Sequence, residues 1–378
     1  LFLSKGRTPV LVSKFAWGDF QDATGGTFAE RGGPAPGVVN WNRKHNDARH
    51  LVEFASRELD AGDFVPQAAA FVDDRPEITQ FAWLAADRIV MAPGITFDTV
   101  PGLGTSDKMP HAWQAGPQTT LLANQLKAMP AGGVAVLSIP KTPYRCPPGP
   151  YERACLIADW LKVNKPRSKL IVLDANPGIV TEVDNFTSAF TGLHGNVIEY
   201  HANAEVTSVD PTSMSLFTTA GTIRGDVINL IPRQRAGSLI ATAGLNNATE
   251  GRFAGVNVLS YASTVSGASK VHIIGDSSAT TQPKAGHIAN QEAKVCADAI
   301  IRSLGGLAPD PAPVTNSACF STITMSQASW LTAVFQYNPV SGTMQAVGAS
   351  SAASTGWNKE NFGQMNTWFK ALMADSFG

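Results

Sequence analysis

The stretch Arg145-Cys146-Pro147-Pro148-Gly149-Pro150-Tyr151-Glu152-Arg153 joins a short apolar run to an amphipathic segment. The apolar run, Gly133-Val134-Ala135-Val136-Leu137-Ser138-Ile139, has the length and composition of a buried parallel strand. From Tyr151 to about Asn164, Ala154, Ile157, Ala158 and Leu161 recur at helical spacing, and Lys165-Pro166 ends the pattern. Lys169-Leu170-Ile171-Val172-Leu173-Asp174 then reads as a second buried strand, closed by Asn176-Pro177-Gly178. The unit is strand, helix, strand, with lengths suited to a right-handed crossover. A phosphate-binding turn at this junction would present free backbone N–H groups at close range. Three prolines instead remove donors and stiffen the turn. The segment is therefore expected to present a cysteine and not a phosphate cradle, which disfavours a nicotinamide cofactor although Asp174 stands where a ribose-binding carboxylate would be.

Cys146 precedes a helix N-terminus and follows Arg145, so its thiolate is expected to be favoured. It reads either as a redox or nucleophilic thiol or as a structural half-cystine. Of the other three cysteines, Cys155 falls inside the helix and Cys296 on the apolar face of a later one, where both read as small buried hydrophobes. Cys319, like Cys146, reads as a loop residue, which leaves those two as the natural pair. A persistent bond between them would indicate an oxidising compartment such as a periplasm. The spacings contain neither a haem-attachment motif nor a zinc pattern, so no metal is expected on the chain itself.

At 378 residues the chain is long enough for two or three domains. Its 29 Lys and Arg balance 30 Asp and Glu without a basic run, which argues against a nucleic-acid partner. No run approaches the roughly 20 apolar residues of a membrane span.

Further segments resemble flavoproteins built from two dinucleotide-binding domains. Ala268-Ser269-Lys270-Val271-His272-Ile273-Ile274-Gly275-Asp276 reads as a strand ending in Gly-Asp. Pro283-Lys284-Ala285-Gly286-His287-Ile288-Ala289-Asn290-Gln291 opens a helix that runs to about Leu304. In such flavoproteins the Asp hydrogen-bonds the ribityl chain and the helix N-terminus faces the flavin, which makes Gly275, Asp276, Lys284, Gly286 and Asn290 expected cofactor contacts. An ordinary strand-to-helix turn is the alternative. Asp87 to Gly94 has the form of the strand and tight turn that returns the chain to the flavin domain, adding Ala92, Pro93 and Gly94 to the expected contacts. Gly225-Asp226-Val227-Ile228-Asn229-Leu230-Ile231-Pro232 repeats that form. The expected class is α/β and glutathione-reductase-like, with two interleaved dinucleotide-binding-type domains plus an α+β C-terminal domain.

One family resemblance is specific. The Cys146 segment, Pro110-His111-Ala112-Trp113-Gln114-Ala115-Gly116, Asp226 to Pro232 with Arg235-Ala236-Gly237, and Ile274-Gly275-Asp276 resemble the flavoprotein subunit of flavocytochrome c sulfide dehydrogenase in order and spacing. So does the tail: Asn316-Ser317-Ala318-Cys319-Phe320-Ser321-Thr322, a hairpin around Asn338 to Gly342, and a last helix with Trp368 and Phe369. The resemblance implies FAD as cofactor and a redox-active disulfide between Cys146 and Cys319. It implies a proton-managing carboxylate at Glu152 and a c-type cytochrome subunit that carries the haem c, in a periplasmic heterodimer. In the implied reaction hydrosulfide opens the disulfide, and the released thiolate passes electron density to the flavin.

It further implies a first FAD-binding segment over 1–115, a second dinucleotide-type domain over 116–232, the rest of the FAD domain over 233–312 and a C-terminal domain over 313–378. The N-terminal stretch departs from the family. Leu1 stands just after the expected glycine loop, Pro9-Val10-Leu11-Val12 could be a second strand, and Gly25, Gly26, Gly32 and Gly33 come too late to supply the loop. Thr27 lies near where the family carries a flavin-linking cysteine. The expectation is an FAD protein with a missing or poorly defined beginning and no support for covalent FAD. Two other readings stand beside it: a sulfide:quinone oxidoreductase-like enzyme, and a non-catalytic, degenerate subunit that keeps the fold.

Overall fold

The computed structural model describes residues 87–377. The expected strand at Pro9–Val12, the early glycines and Thr27 lie outside the described residues. Two compact units are present among them, one holding residues 87–91 and 266–272, the other 92–265 and 273–377. In the smaller unit, the Ile89 N–H of strand β1 (Ile89–Met91) donates to the Lys270 carbonyl at 3.0 Å. Apart from residues 266–272, all that follows belongs to the larger unit.

There the chain turns at Gly94, whose φ of +69° is a left-handed conformation that glycine adopts without strain. It enters β2 (Ile95–Phe97) and reaches α1 (Pro117–Ala128), which begins with proline at its first position, where the missing N–H costs nothing. The crossover read from the sequence follows as β3 (Val134–Ile139), α2 (Gly149–Asn164) and β4 (Lys169–Asp174). A short helix α3 (Val183–Ser188) and β5 (Ile198–His201) come next. Strands β6 (Val206–Asp210), β7 (Ser215–Thr218) and β8 (Gly221–Arg224) form an antiparallel meander, and β9 (Val227–Leu230) closes the domain. The main sheet is parallel in the order β5-β4-β3-β9, with Leu137 opposite both Val172 and Asn229.

Both faces of this sheet are buried, as its unbroken apolar strands require. Ala135, Leu137, Ile139, Leu170 and Val172 pack with the α2 residues Tyr151, Ala154, Cys155, Ala158 and Leu161. The alternate residues Val136, Leu173, Ile228 and Leu230 join Val209 and Leu216 of the meander. The segment from Gly225 to Pro232 is thus the last strand of this central sheet.

Strand β10 (Gln234–Ala236) pairs antiparallel with β2, and α4 (Ser238–Thr242) follows. Strand β11 (Ala254–Asn257) lies between β12 (Ala262–Ser263), antiparallel to it, and β14 (Ser278–Ala279), parallel to it. The strand expected from Ala268 to Asp276 is reduced to β13 (Val271–Ile273), because Gly275 takes a φ of +70° and opens a 3-10 turn over Gly275–Ser277. Helix α5 (Gly286–Leu304) buries Ile288, Glu292, Cys296, Ala299 and Ile300, the stripe expected of an amphipathic helix apart from one acid.

The C-terminal part is a long hairpin, β15 (Val314–Thr324) against β16 (Gln327–Asn338), extended by β17 (Thr343–Ala346) and β18 (Ala352–Ala353) and backed by α6 (Lys359–Phe377). Here one expectation is corrected: Cys319 is not in a loop but in the middle of β15, opposite Leu331. The stretch around it is rich in Thr, Ser and Asn and lacks apolar alternation, so its strand character comes from pairing with β16 over nearly its whole length.

Candidate functional site

The Cys146 turn is held from three sides. The Cys146 N–H donates to the Lys284 carbonyl at 2.7 Å, and its own carbonyl accepts from Gly149 N–H at 2.9 Å, the bond that starts α2. Upstream, the Arg145 N–H donates to Gln234 Oε1 at 2.8 Å and its guanidinium to the Trp113 carbonyl. Pro148 is the N-cap and Pro150 lies in the first turn of the helix, where backbone donors lack intrahelical partners, so the turn loses few bonds by containing them. Gly149 is required by close approach. A Cβ there would lie 2.8 Å from Trp113 Cη2 and 3.0 Å from Cys146 Sγ.

The motif around Pro110 to Gly116 is brought to the same place by α2. Arg153 donates to the carbonyls of His111 at 3.1 Å and Ala112 at 2.6 Å and to Asn229 Oδ1 at 3.0 Å, while Asn229 Nδ2 donates to the Pro110 and His111 carbonyls at 2.8 Å each. The guanidinium also lies 4.7 Å from the centre of the Trp113 ring. Together Trp113, Arg145, Cys146, Glu152, Arg153 and Leu156 help to line a cavity of about 410 Å³.

Strand β15 delivers Cys319 to the site and is fixed by flanking residues. The Ala318 N–H donates to His287 Nδ1 of α5 at 3.0 Å. Thr322 gives both its N–H, at 3.0 Å, and its hydroxyl to Glu152 Oε1 of α2. Cys146 and Cys319 are close enough that charge on Cys319 raises the pKa of Cys146, and both are free thiols. The expectation of a favoured Cys146 thiolate is overturned. Burial first, then the negative charge of Glu152 and Cys319, push its thiol up to about 12, outweighing the Gly149 N–H and Arg145. Burial likewise raises Cys319 to about 11, Ser317 opposing it and the acids Glu182 and Glu152 adding to it. Glu152 is itself shifted upward by burial, against its two bonds from Thr322, and so tends to keep a proton beside both sulfurs.

The expected flavin contacts fall into two groups. Ser277 Oγ donates to the Gly94 carbonyl at 2.5 Å and the Gly237 N–H donates to the same oxygen at 2.8 Å, so the Ala92-Pro93-Gly94 turn meets the turn that follows Ile274. Gly275, Asp276, Lys284 and Glu292 line one cleft. Lys284 is spent on the fold: its ammonium donates to the carbonyls of Asp276 at 2.9 Å and Ser278 at 2.6 Å and lies 3.9 Å from the Phe253 ring centre. The structure does not bring Gly286 and Asn290 into this cleft. The Asn290 amide instead donates to Asp375 and Ser376 at 3.0 Å each.

A flavin fits the residues present. Asp276 Oδ1 is buried without a hydrogen-bond partner, and such an acceptor calls for a donor such as a ribityl hydroxyl. Asp174, by contrast, is unavailable to a ribose: it is fully buried and accepts from Tyr151 and Tyr200 hydroxyls at 2.7 and 2.8 Å and from Asn176. Two functional candidates escaped the sequence reading. Glu292 accepts the Gly275 N–H at 2.5 Å from beneath the cleft, and Glu182, buried before α3, holds β15 from the Cys319 side. An acid inside a helix or just ahead of one carries no sequence signal that separates it from a solvated one.

The fold and the site define a glutathione-reductase-like flavoprotein. Among solved structures it is similar to the sulfide:quinone oxidoreductase of the hyperthermophilic bacterium Aquifex aeolicus, with a TM-score of 0.57 at 13% identity over 83% of this chain and 76% of that one. A chain of the Tetrahymena thermophila mitochondrial ATP synthase is similar too, at TM-score 0.53, 13% identity and the same shares, 83% and 76%. More specifically, residues 119–232 match the family described as sulfide dehydrogenase (flavocytochrome c) flavoprotein chain, central, and residues 311–377 the flavocytochrome c sulphide dehydrogenase flavin-binding domain. The resemblance drawn from the motifs is therefore borne out over these two stretches, and the second of them is matched as a flavin-binding domain. Among the described residues no helix is long and apolar enough to cross a membrane.

Proposed function

We propose that this chain oxidises hydrosulfide with Cys146 and Cys319 as a redox pair and passes the electrons through FAD to a c-type cytochrome subunit, in a periplasmic heterodimer. The observation that carries the reading is the convergence of two sulfurs from distant parts of the chain, one on the α2 turn and one on β15, beside a shared, partly buried carboxylate, Glu152.

The chain's own residues supply three things. The cavity beside Cys146 admits a small anion and carries Arg145 and Arg153 on its wall, both oriented by the carbonyls from His111 to Trp113. With the pair oxidised, hydrosulfide attacks one sulfur: an S–S bond forms to the incoming sulfur, the bond between the cysteines breaks, and the other cysteine leaves as a thiolate. Glu152, whose carboxyl is shifted upward, exchanges a proton with the incoming sulfur or the departing one, held in place by Thr322. Bound FAD supplies the two-electron acceptor for this chemistry. Asp276 would hold it through the ribityl chain, and the Cys146 N–H bond to Lys284 ties the cysteine turn to that cradle.

The matched family's name supports the cytochrome partner, which would carry the haem for which this sequence has no attachment motif. Cys146→Ser and Cys319→Ser should each abolish sulfide-dependent flavin bleaching in stopped-flow absorbance while the flavin spectrum of the resting protein persists. Unimpaired bleaching in either variant would overturn the redox-pair mechanism. A c-type haem polypeptide should co-purify with the chain from its native source, and its absence would remove the cytochrome step.

A further inference from the structure

Glu182 is a buried acid that the reading above does not use, and its surroundings are unusual for a residue at the start of a six-residue helix. Its backbone is left-handed, with φ and ψ both 44°, a conformation that a non-glycine residue keeps only when its surroundings impose it. The residue is 8% exposed. Oε1 accepts from Ser321 Oγ at 2.5 Å, and Oε2 accepts from Ser329 Oγ at 2.5 Å and from Asn185 Nδ2 at 3.3 Å. These donors are all neutral.

The two serines face each other across the hairpin, Ser321 of β15 opposite Ser329 of β16, two pairs along from Cys319 opposite Leu331. Residues two apart on a strand share a face and stand about 7 Å apart, so the carboxylate clamps the same face of the sheet that carries the Cys319 sulfur. On the neighbouring residue, Thr322, Glu152 takes its two bonds from α2. Two acids from different elements thus grip consecutive residues of the strand that bears the cysteine.

We propose that Glu182 is a positioning residue of the cysteine site, a buried carboxylate that clamps the Cys319 strand through Ser321 and Ser329 and sets its negative charge against that of the Cys319 thiolate. The inference rests on the redox-pair reading for its role in turnover, but not for its geometry. Other titratable groups that meet β15 are few. Glu152 comes from α2, and Cys146 from the turn before it. His287 of α5 accepts the Ala318 N–H, and burial lowers its pKa. His194 donates through Nε2 to the Ile323 carbonyl at 2.9 Å and is likewise lowered by burial. Asp159 accepts the Met325 N–H at the exposed end of the hairpin. On β16 and α6 the residues facing this part of the strand are Ser329, Leu331 and Trp368, none of them charged. Glu182 is thus the acid whose charge reaches Cys319 without being among those that bear on Cys146.

The test uses the full flavin-loaded chain, reduced and alkylated with iodoacetamide across a pH series, with the modification of each cysteine followed by mass spectrometry. Glu182→Gln keeps the size of the side chain and one acceptor oxygen while removing the charge. The Cys319 midpoint should fall by about half a pH unit or more and the Cys146 midpoint should stay put. An unmoved Cys319 midpoint in a folded Glu182→Gln protein would overturn the proposal, as would equal shifts at both cysteines. Should that variant not fold, Glu182→Ala carries the test, because it removes the same charge and lets water enter the space left, which weakens the effect. The Cys319 midpoint should then move down by a smaller amount, and no movement would again overturn the proposal. The outcome is separable from the redox-pair test: bleaching by sulfide in Cys319→Ser could refute that reading and leave the Glu182 shift standing, or the reverse.

Discussion

At the residue scale, Gly149 shows how close packing sets the position of a reactive group. Its Cα faces the Trp113 ring edge and the Cys146 sulfur at distances that leave no room for a methyl group. Gly149→Ala must therefore displace the sulfur or the indole by several tenths of an ångström. Sulfide-dependent flavin bleaching should slow by about tenfold to a hundredfold with FAD still bound, since small misplacements of reacting atoms cost that much. Stopped-flow rates within twofold of the parent would show that the sulfur position is not set by this contact. The residue scale is also where the sequence reading failed in sign. Beside Cys146 it weighed an arginine and a helix end, both visible in sequence, but burial and two approaching negative groups prevail. Glu152 could be read from the chain, whereas Cys319 and the degree of burial depend on where β15 lies.

At the element scale, α2 organises the site as much as it fills the core. The turn before it carries Cys146 at the entrance, its first turn sends Glu152 toward β15 and Arg153 toward the 110–113 segment, and Ala154, Cys155, Ala158 and Leu161 pack on the sheet. Arg153 is partly buried, and desolvation pushes its pKa down to about 10, but it stays a cation held by three oxygens. Replacing it with Met would leave two carbonyls without this donor and should cost about 2–3 kcal/mol in urea unfolding. Equal midpoints and slopes would show that water replaces the guanidinium without cost. The strand-helix-strand unit around this turn was legible because apolar runs and helical spacing are local signals. Strand β15 was not: its Thr, Ser and Asn residues acquire strand geometry only by pairing with β16, whose ladder lies beyond the window that local periodicity covers.

At the scale of the whole molecule, buried acids make stability depend on pH. Glu292 sits on the buried stripe of α5, accepts the Gly275 N–H, and is pushed by burial up to about 8 from an ordinary 4.5. Between those values the native state binds more protons than the unfolded chain, so the stabilisation is complete below about 4.5 and lost as pH rises through about 8. The melting temperature of the purified protein should fall over that interval, and Glu292→Gln should flatten the decline. An unchanged slope would place the ionisation elsewhere. The sequence by itself determined the α/β class, the crossover carrying Cys146, the Gly275-Asp276 turn and the flavoprotein resemblance, because each is written in a contiguous run of residues. Only the tertiary structure decided that Cys319 lies on a strand, that Lys284 and Asn290 are held by protein partners, and that Glu182 and Glu292 are buried beside the two halves of the site. Burial, charge proximity and cross-strand pairing arise from residues far apart in the chain, and no local pattern records which of them will meet.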